Sequence, residues 1–236
     1  MDTTSLDIFK FKIRRFFAMR GMNAPLLKSG LPPDYWQRQQ VNSEHGPDKY
    51  LEADSITRTV LDEFITNMDR SASFIEIGCN AGRNLNYLYE NGFCNLAGMD
   101  INETAIKEIM PANFPGLYQC GKFYIGNSAV EIKGIADESY DVVFSIAVLI
   151  HIPPDNISLF KDMVRISKRY IVVFTDENIN YDFAKVFERL GCQLVYKRLY
   201  YGEDSIKNMK MPAEPYDEKK HSFDCKCHLV FIKGKG

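Results

Sequence analysis

Phe74-Ile75-Glu76-Ile77-Gly78-Cys79-Asn80-Ala81-Gly82-Arg83 compresses the end of a strand, a sharp turn and the start of a helix into ten residues. The apolar run has strand length and ends on glycine. Gly78 lets the chain leave the strand abruptly, and Gly82 lets the next helix approach a sheet or a ligand closely. Asn80, between them, is one of the few side chains that tolerates positive φ. The helical pattern of AGRNLNYLYENG spans 81–92, stopped by Gly92, where a left-handed cap is cheap. A glycine-punctuated strand-to-helix turn is a nucleotide site in the general sense. A dinucleotide fingerprint, counted from Gly78, needs glycine at 80 and 83 so that a pyrophosphate can rest on bare backbone. Asn80 and Arg83 stand there, which disfavours NAD and FAD. The turn is not succeeded by Gly-Lys-Ser/Thr, so a Walker A loop is absent too.

Outward from this turn, strand and helix patterns alternate. Upstream, Ile56, Val60, Leu61, Phe64 and Ile65 recur at helical spacing over 55–68, with Asp54 or Ser55 as N-cap. Downstream, strands are expected at 95–100, 122–126, 139–150, 170–176, 193–202 and 226–234, and helices at 103–110, 157–168 and 181–191. The runs at 139–150 and 170–176 are uniformly apolar, as for strands covered on both faces. With 73–78 this makes seven strands in a doubly wound, mostly parallel α/β sheet with helices on both faces. A helical N-terminal extension or cap covers 1–54, the main domain covers 55–236, and the polar, Pro-containing stretch 202–223 reads as a lid or insertion. In such sheets a ligand sits beyond the carboxyl ends of the strands, here after Ile77, Met99, Ile125 and Phe144.

Composition narrows the class. At 236 residues and 27.1 kDa, with 45% apolar and 25% charged residues, the chain is globular rather than disordered. Its 29 basic and 31 acidic residues nearly cancel, and no basic patch with interleaved aromatics marks the core, which argues against nucleic acid as partner. No run reaches the roughly 18 to 20 apolar residues of a membrane span. The start, MDTTSLDIFKFKIRRFF, has acids before bases and no apolar segment, so no secretory signal is expected and the cytoplasm is the expected location. Phe9, Ile13, Phe16 and Phe17 form one helical face amid basic residues; packing on the domain is the preferred reading over contact with an anionic membrane. The six cysteines form no CxxC and read as reduced, buried side chains, with Cys225 and Cys227 facing the same side of one strand.

The Glu-x-Gly-x-x-x-Gly pattern, with Asp100 closing the second strand 18 residues after Gly82, resembles the class I S-adenosylmethionine-dependent methyltransferases. Gly126-Asn127-Ser128 stands where the family carries a Gly-Asp-Ala-like turn. Tyr140-Asp141-Val142-Val143-Phe144 and Leu149-Ile150-His151-Ile152 match its fourth-strand region. The resemblance covers roughly 72–233 and implies an antiparallel last strand. It also implies S-adenosyl-L-methionine as cofactor, with Asp100, neighboured by Ile101, accepting from the ribose hydroxyls. Helix capping is the other reading of Asp100. Asn127 and Ser128 would meet the adenine, and Glu76 would hold the loop and the methionine ammonium. The backbone at Gly78 and Cys79, with Asn80 and Gly82 of the same turn, would line the methionine portion, flanked by Ser145 and Ala147. Arg38, from Tyr35-Trp36-Gln37-Arg38, could pair with the methionine carboxylate, an exposed surface arginine being the competing reading. The departures are Asn80 and Arg83, where many members have glycine and a small or polar residue.

Methyl transfer from a sulfonium needs positioning above all and no metal; Asp176-Glu177 reads as an exposed loop pair. For a hydroxyl acceptor His151 is the candidate base, with a structural role capping the Pro153-Pro154 turn as its competitor. His221, in the polar stretch, could reach substrate, whereas His228, inside a strand, reads as packed. Tyr35, Trp36 and Tyr50 suit a ring-shaped acceptor, so the expectation is O-methylation of a small molecule or saccharide. A non-catalytic S-adenosylmethionine-binding regulator, or an enzyme acting on a lipid-linked sugar at a membrane surface, are the alternatives.

Overall fold

A computed structural model describes residues 33–152, 158–176, 182–212, 215 and 225–234. The expected helix around Phe9–Phe17, the Pro153-Pro154 turn, Glu177 and His221 lie outside the described residues. Seven strands form one sheet in the order β3-β2-β1-β4-β5-β7-β6. They are β1 Ser73–Ile77, β2 Asn95–Asp100, β3 Lys122–Ile125, β4 Tyr140–Ile146, β5 Ser167–Asp176, β6 Cys192–Tyr201 and β7 Cys225–Lys233. β1 runs parallel to both β2 and β4, so the order reverses there and opens a crevice above the two strand ends. β7 alone runs antiparallel, inserted between β5 and β6.

The uniformly apolar strands are explained by covering layers on both faces. Phe74, Phe144, Val172, Phe174 and Val230 join Val60, Leu61 and Phe64 of the helix Ser55–Asn67 in one core. Ile75, Ile77, Val143, Val173 and Phe231 join Leu159, Phe160 and Met163 of the helix Ser158–Ile166 and Phe187 of the helix Phe183–Arg189 in the other. Each fully buried Leu, Ile or Phe contributes roughly 1.5–3 kcal/mol. The helix Ser55–Asn67 starts where expected, because Asp54 Oδ1 accepts from Thr57 N at 2.8 Å. The helix Arg83–Glu90 is preceded by Gly82 and followed by Gly92, both at φ +88°.

Four boundaries differ from expectation. β4 ends at Ile146 rather than 150, because Ala147 turns left-handed (φ 59°) and Leu149–His151 coils into one 3-10 turn. Helix Ser158–Ile166 passes into β5 without a loop, Ser167 already pairing with Tyr140. Between β2 and β3 the chain stays helical beyond residue 110, through a π turn (Ala105–Ile109) and short helices at Met110–Asn113 and Pro115–Cys120. The described part of the stretch 202–223 contains a helix, Glu203–Asn208, with Ser205 and Met209 buried. None of the six cysteines is in a disulfide; Cys79, Cys192, Cys225 and Cys227 are buried as expected, whereas Cys94 and Cys120 are exposed.

Candidate active site

A cavity of about 410 Å³ opens where β1, β2 and β4 end, roofed by residues from the segment 33–50. Its floor is the Gly78–Asn80 turn. The amides of Gly78 and Cys79 both donate to Met99 O, at 2.8 and 3.0 Å, which folds the turn over the tip of β2. Gly78 sits at φ +81°, and a Cβ there would lie 2.4 Å from Val148 Cγ2. Asn80 does adopt positive φ, at 47°.

Asp100 holds the centre. Its Oδ2 accepts from Asn80 N and its Oδ1 from Asn102 N, each at 2.8 Å. Burial raises its pKa, and these backbone donors oppose the rise. The turn amide that could have greeted a phosphate is therefore spent on a carboxylate. A pyrophosphate would meet like charge instead of a cradle. Helix capping falls to Asn102, whose Oδ1 accepts from Ala105 N at 3.1 Å, so Asp100 keeps lone pairs for a ligand. Asn102 Nδ2 donates to Gln39 O at 2.9 Å and fastens the roof to the end of β2.

Beneath the turn, Glu76 is fully buried. Its Oε1 accepts from Asn84 Nδ2 at 2.6 Å, and Asn84 Oδ1 in turn accepts from Thr57 Oγ1 at 2.6 Å. Oε2 has no partner. Burial pushes this carboxyl up to about 8, against the smaller effects of the Asn84 bond and the Arg83 charge. Arg83 stands on the wall, paired with Asp54 at 2.9 Å and lying 5.6 Å from the Tyr50 ring centroid.

At the other end of the cavity the Leu149–His151 turn puts His151 against Trp36, ring centroids 4.7 Å apart. His45 lies 5.4 Å from Trp36 and contacts Tyr50 Oη through Nδ1 at 3.3 Å. Trp36 Nε1 and His151 Nδ1 are both covered and have no partner among the described residues. Burial lowers the His151 pKa, with Asp176 opposing and His45 and Lys226 reinforcing. Asp176, at the tip of β5, is ion-paired with Lys226.

Of the residues expected at the site, Gly78, Cys79, Asn80, Asp100, Ile101, Asn127, Ser128, Ala147 and His151 line this cavity. Asn127 Oδ1 also accepts from Ala129 N at 2.9 Å, so one acceptor site is already used. Four do not line it. Glu76 lies below the turn. Gly82 faces Met110 and Leu117. Ser145 Oγ donates to Ile77 O at 2.9 Å, locking β4 to β1. Arg38 points to solvent, its side chain 78% exposed and bound to Asp34 one helical turn away. Its guanidinium is held by that near partner, and the cation on the cavity wall is Arg83. Sequence reasoning gave no binding role to Arg83, His45, Asn102 or Asp176. Arg83 carried a signal, as the residue that broke the glycine pattern. Among the described residues no cluster of three His, Cys, Asp or Glu side chains could hold a metal ion, and no helix is long and apolar enough to cross a membrane.

Residues 75–172 match the family model described as a methyltransferase domain. Solved structures share the fold at low identity. A TehB-like SAM-dependent methyltransferase from Corynebacterium glutamicum is 18% identical, with a TM-score of 0.55 over 78% of this chain and 89% of its own. The magnesium protoporphyrin IX methyltransferase of Synechocystis PCC 6803, solved with bound SAM, is 18% identical, with a TM-score of 0.54 over 95% of this chain and 97% of its own. The [4+2]-cyclase SpnF is 11% identical, with a TM-score of 0.59 over 97% of this chain and 94% of its own. No curated protein matches the sequence. The cyclase is a reminder that the fold by itself does not set the reaction.

Proposed function

We propose that the chain is a class I S-adenosylmethionine-dependent methyltransferase that methylates a hydroxyl of a small molecule or saccharide with His151 as general base, a reading supported by the match of residues 75–172 to the methyltransferase-domain model. When bound, the cofactor supplies an electrophilic methyl group on a positively charged sulfur. The single observation behind the cofactor reading is Asp100. A carboxylate at the centre of the cavity, taking the turn amide for itself, suits a ribose diol and opposes a diphosphate.

The other groups fit the same ligand. The unpartnered Oε2 of Glu76, one layer below the floor, suits a methionine ammonium reached directly or through water. Arg83 suits the carboxylate, in the role expected of Arg38. Asn127 and Ser128 suit the adenine edge at the tip of β3. Gly78, Cys79 and Ala147 bring bare or small groups beside the chain of the ligand. The segment 33–50 serves as a cap, tied down through Asn102.

His151 contributes at the opposite end. Its depressed pKa keeps the imidazole neutral near pH 7 and able to take a proton from a hydroxyl. Asp176 stabilises the imidazolium that results. The protein's remaining task is to align acceptor and methyl group and to keep water out, which the aromatic cap performs.

Two variants separate binding from chemistry. Asp100→Ala should weaken cofactor affinity by about 1–3 kcal/mol, read by titration calorimetry. His151→Ala should bind cofactor normally but release S-adenosylhomocysteine roughly 10²–10⁴-fold more slowly. Full turnover in the His151 variant would remove the base assignment. Unchanged affinity in the Asp100 variant would remove the ribose assignment.

A further inference from the structure

We propose that the acceptor is an uncharged aromatic ring carrying a hydroxyl next to a second oxygen, lying against His151 in the place Trp36 now fills and hydrogen-bonded by the displaced indole, rather than a sugar or a charged molecule. This rests on the methyltransferase reading and narrows its substrate class.

Charge is the first discriminator. Among the described lining residues the ionic groups are Arg83, Asp100 and Asp176. Arg83 and Asp100 belong to the cofactor end, and Asp176 is paired with Lys226. Among the described residues no unpaired charge is left at the His151 end for a carboxylate, phosphate or ammonium. Burying such a group without a partner is heavily unfavourable.

Hydrogen-bonding capacity is the second. At this end the lining includes Trp36, Val148, Ile150 and Ile152, which offer ring face and aliphatic surface, while His45 is engaged with Tyr50 Oη and Asp176 with Lys226. A sugar brings a hydroxyl on nearly every carbon, and each one buried without a partner costs about 1–3 kcal/mol. Two groups at this end are covered and unpartnered: Trp36 Nε1, a donor only, and His151 Nδ1. That pair matches an acceptor with two neighbouring oxygens. One hydroxyl faces the imidazole, and the adjacent oxygen accepts from the indole.

Shape is the third. Trp36 and His151 lie too close, at 4.7 Å between centroids, for a ring to pass between them as they stand. The acceptor must move Trp36 aside and take its place against His151. Trp36 stands on a five-residue helix, Pro33–Gln37, and Asn102 Nδ2 reaches its carbonyl at 3.4 Å as well as Gln39 O, so the tether holds the backbone and a turn of the indole side chain leaves the cap fastened. As the acceptor oxygen takes the methyl, its proton passes to His151 and the C–S electron pair stays on sulfur. A neutral phenol thus leaves as a neutral ether.

Trp36 is the only tryptophan of the chain, so its indole N–H gives a single, self-assigned signal in a ¹H–¹⁵N spectrum. The experiment titrates catechol, benzoate and methyl glucoside separately into the protein saturated with S-adenosylhomocysteine. Saturable movement of the indole peak with catechol, at least tenfold weaker with the other two, is the expected result. Trp36→Phe should then weaken catechol binding by calorimetry at least fivefold while S-adenosylhomocysteine binds as before. Equal or tighter binding of benzoate or the glucoside, or a stationary indole peak with catechol, overturns the proposal. Failure to bind S-adenosylhomocysteine at all would instead overturn the cofactor reading beneath it.

Discussion

Glu76 is a carboxyl with one oxygen satisfied by Asn84 and the other by nothing, at full burial. Water is what normally stabilises a carboxylate, and its exclusion lifts this pKa to about 8. Near pH 7 the free protein therefore holds Glu76 mostly protonated. In the proposed complex an ammonium beside Oε2 would reverse that balance and expel the proton. Cofactor binding near pH 7 should release close to one proton, visible as a calorimetric enthalpy that changes between phosphate and Tris buffers. Glu76→Gln, which mimics the protonated acid, should bind with no buffer dependence. Proton release should also fade above pH 8, where the free protein has already lost that proton. A buffer-independent enthalpy in the unaltered protein would break the link between Glu76 and the ammonium.

At the scale of the element, the turn after β1 depends on backbone that few residues adopt. Gly78→Ala places a methyl group 2.4 Å from Val148 Cγ2 in a left-handed conformation, where an L-residue costs about 1–2 kcal/mol before any clash. Val148 lies on the chain leaving β4, so the damage spreads to the Leu149–His151 turn. Lower thermal stability together with weaker cofactor binding is expected, and a change in stability alone would mean that the turn is merely structural. This turn was legible because glycine and asparagine announce positive φ in the sequence. Strand positions were legible as well, since apolar runs of strand length recur between helical periods. The end of β4 was not, because Ala147 is left-handed with no glycine to mark it. Nor were the helices at Met110–Asn113 and Pro115–Cys120, whose prolines and glycine disguise four- to six-residue segments. Arg38 and Arg83 differ for a related reason. Spacing says which residues succeed a strand but not which cation finds a closer carboxylate, and Asp34 lies one helical turn from Arg38.

For the molecule as a whole, the buried groups that titrate pull stability in opposite directions with pH. His228, on β7, is fully buried, with both ring nitrogens unpartnered. Its ring meets Tyr196 edge-on at 5.0 Å and lies 6.5 Å from Phe174, and Arg198 stands opposite it in the sheet. Burial first, and the Arg198 charge second, bring its pKa down to about 4. Below pH 6.5 the unfolded chain takes up a proton that the folded chain refuses, so stability falls as pH drops from 6.5 toward 4. The loss amounts to about 3 kcal/mol once pH 4 is reached. Glu76 acts the other way. Its folded pKa is raised, so its contribution is complete below the unfolded value of 4.5 and is lost as pH rises toward 8. Urea unfolding of the cofactor-free protein should therefore show an optimum between these limits, with His228→Leu flattening the acid side and Glu76→Gln the alkaline side. With His151 as the proposed base, activity should have its own acid limb, because a base that must be neutral fails once pH drops below its depressed pKa. His151→Ala should abolish that limb and remove only its own, smaller share of the acid slope of unfolding, whereas His228→Leu should flatten that slope and leave the limb in place. If His228→Leu also shifted the activity limb, β7 could not be treated as independent of the chemistry above β4.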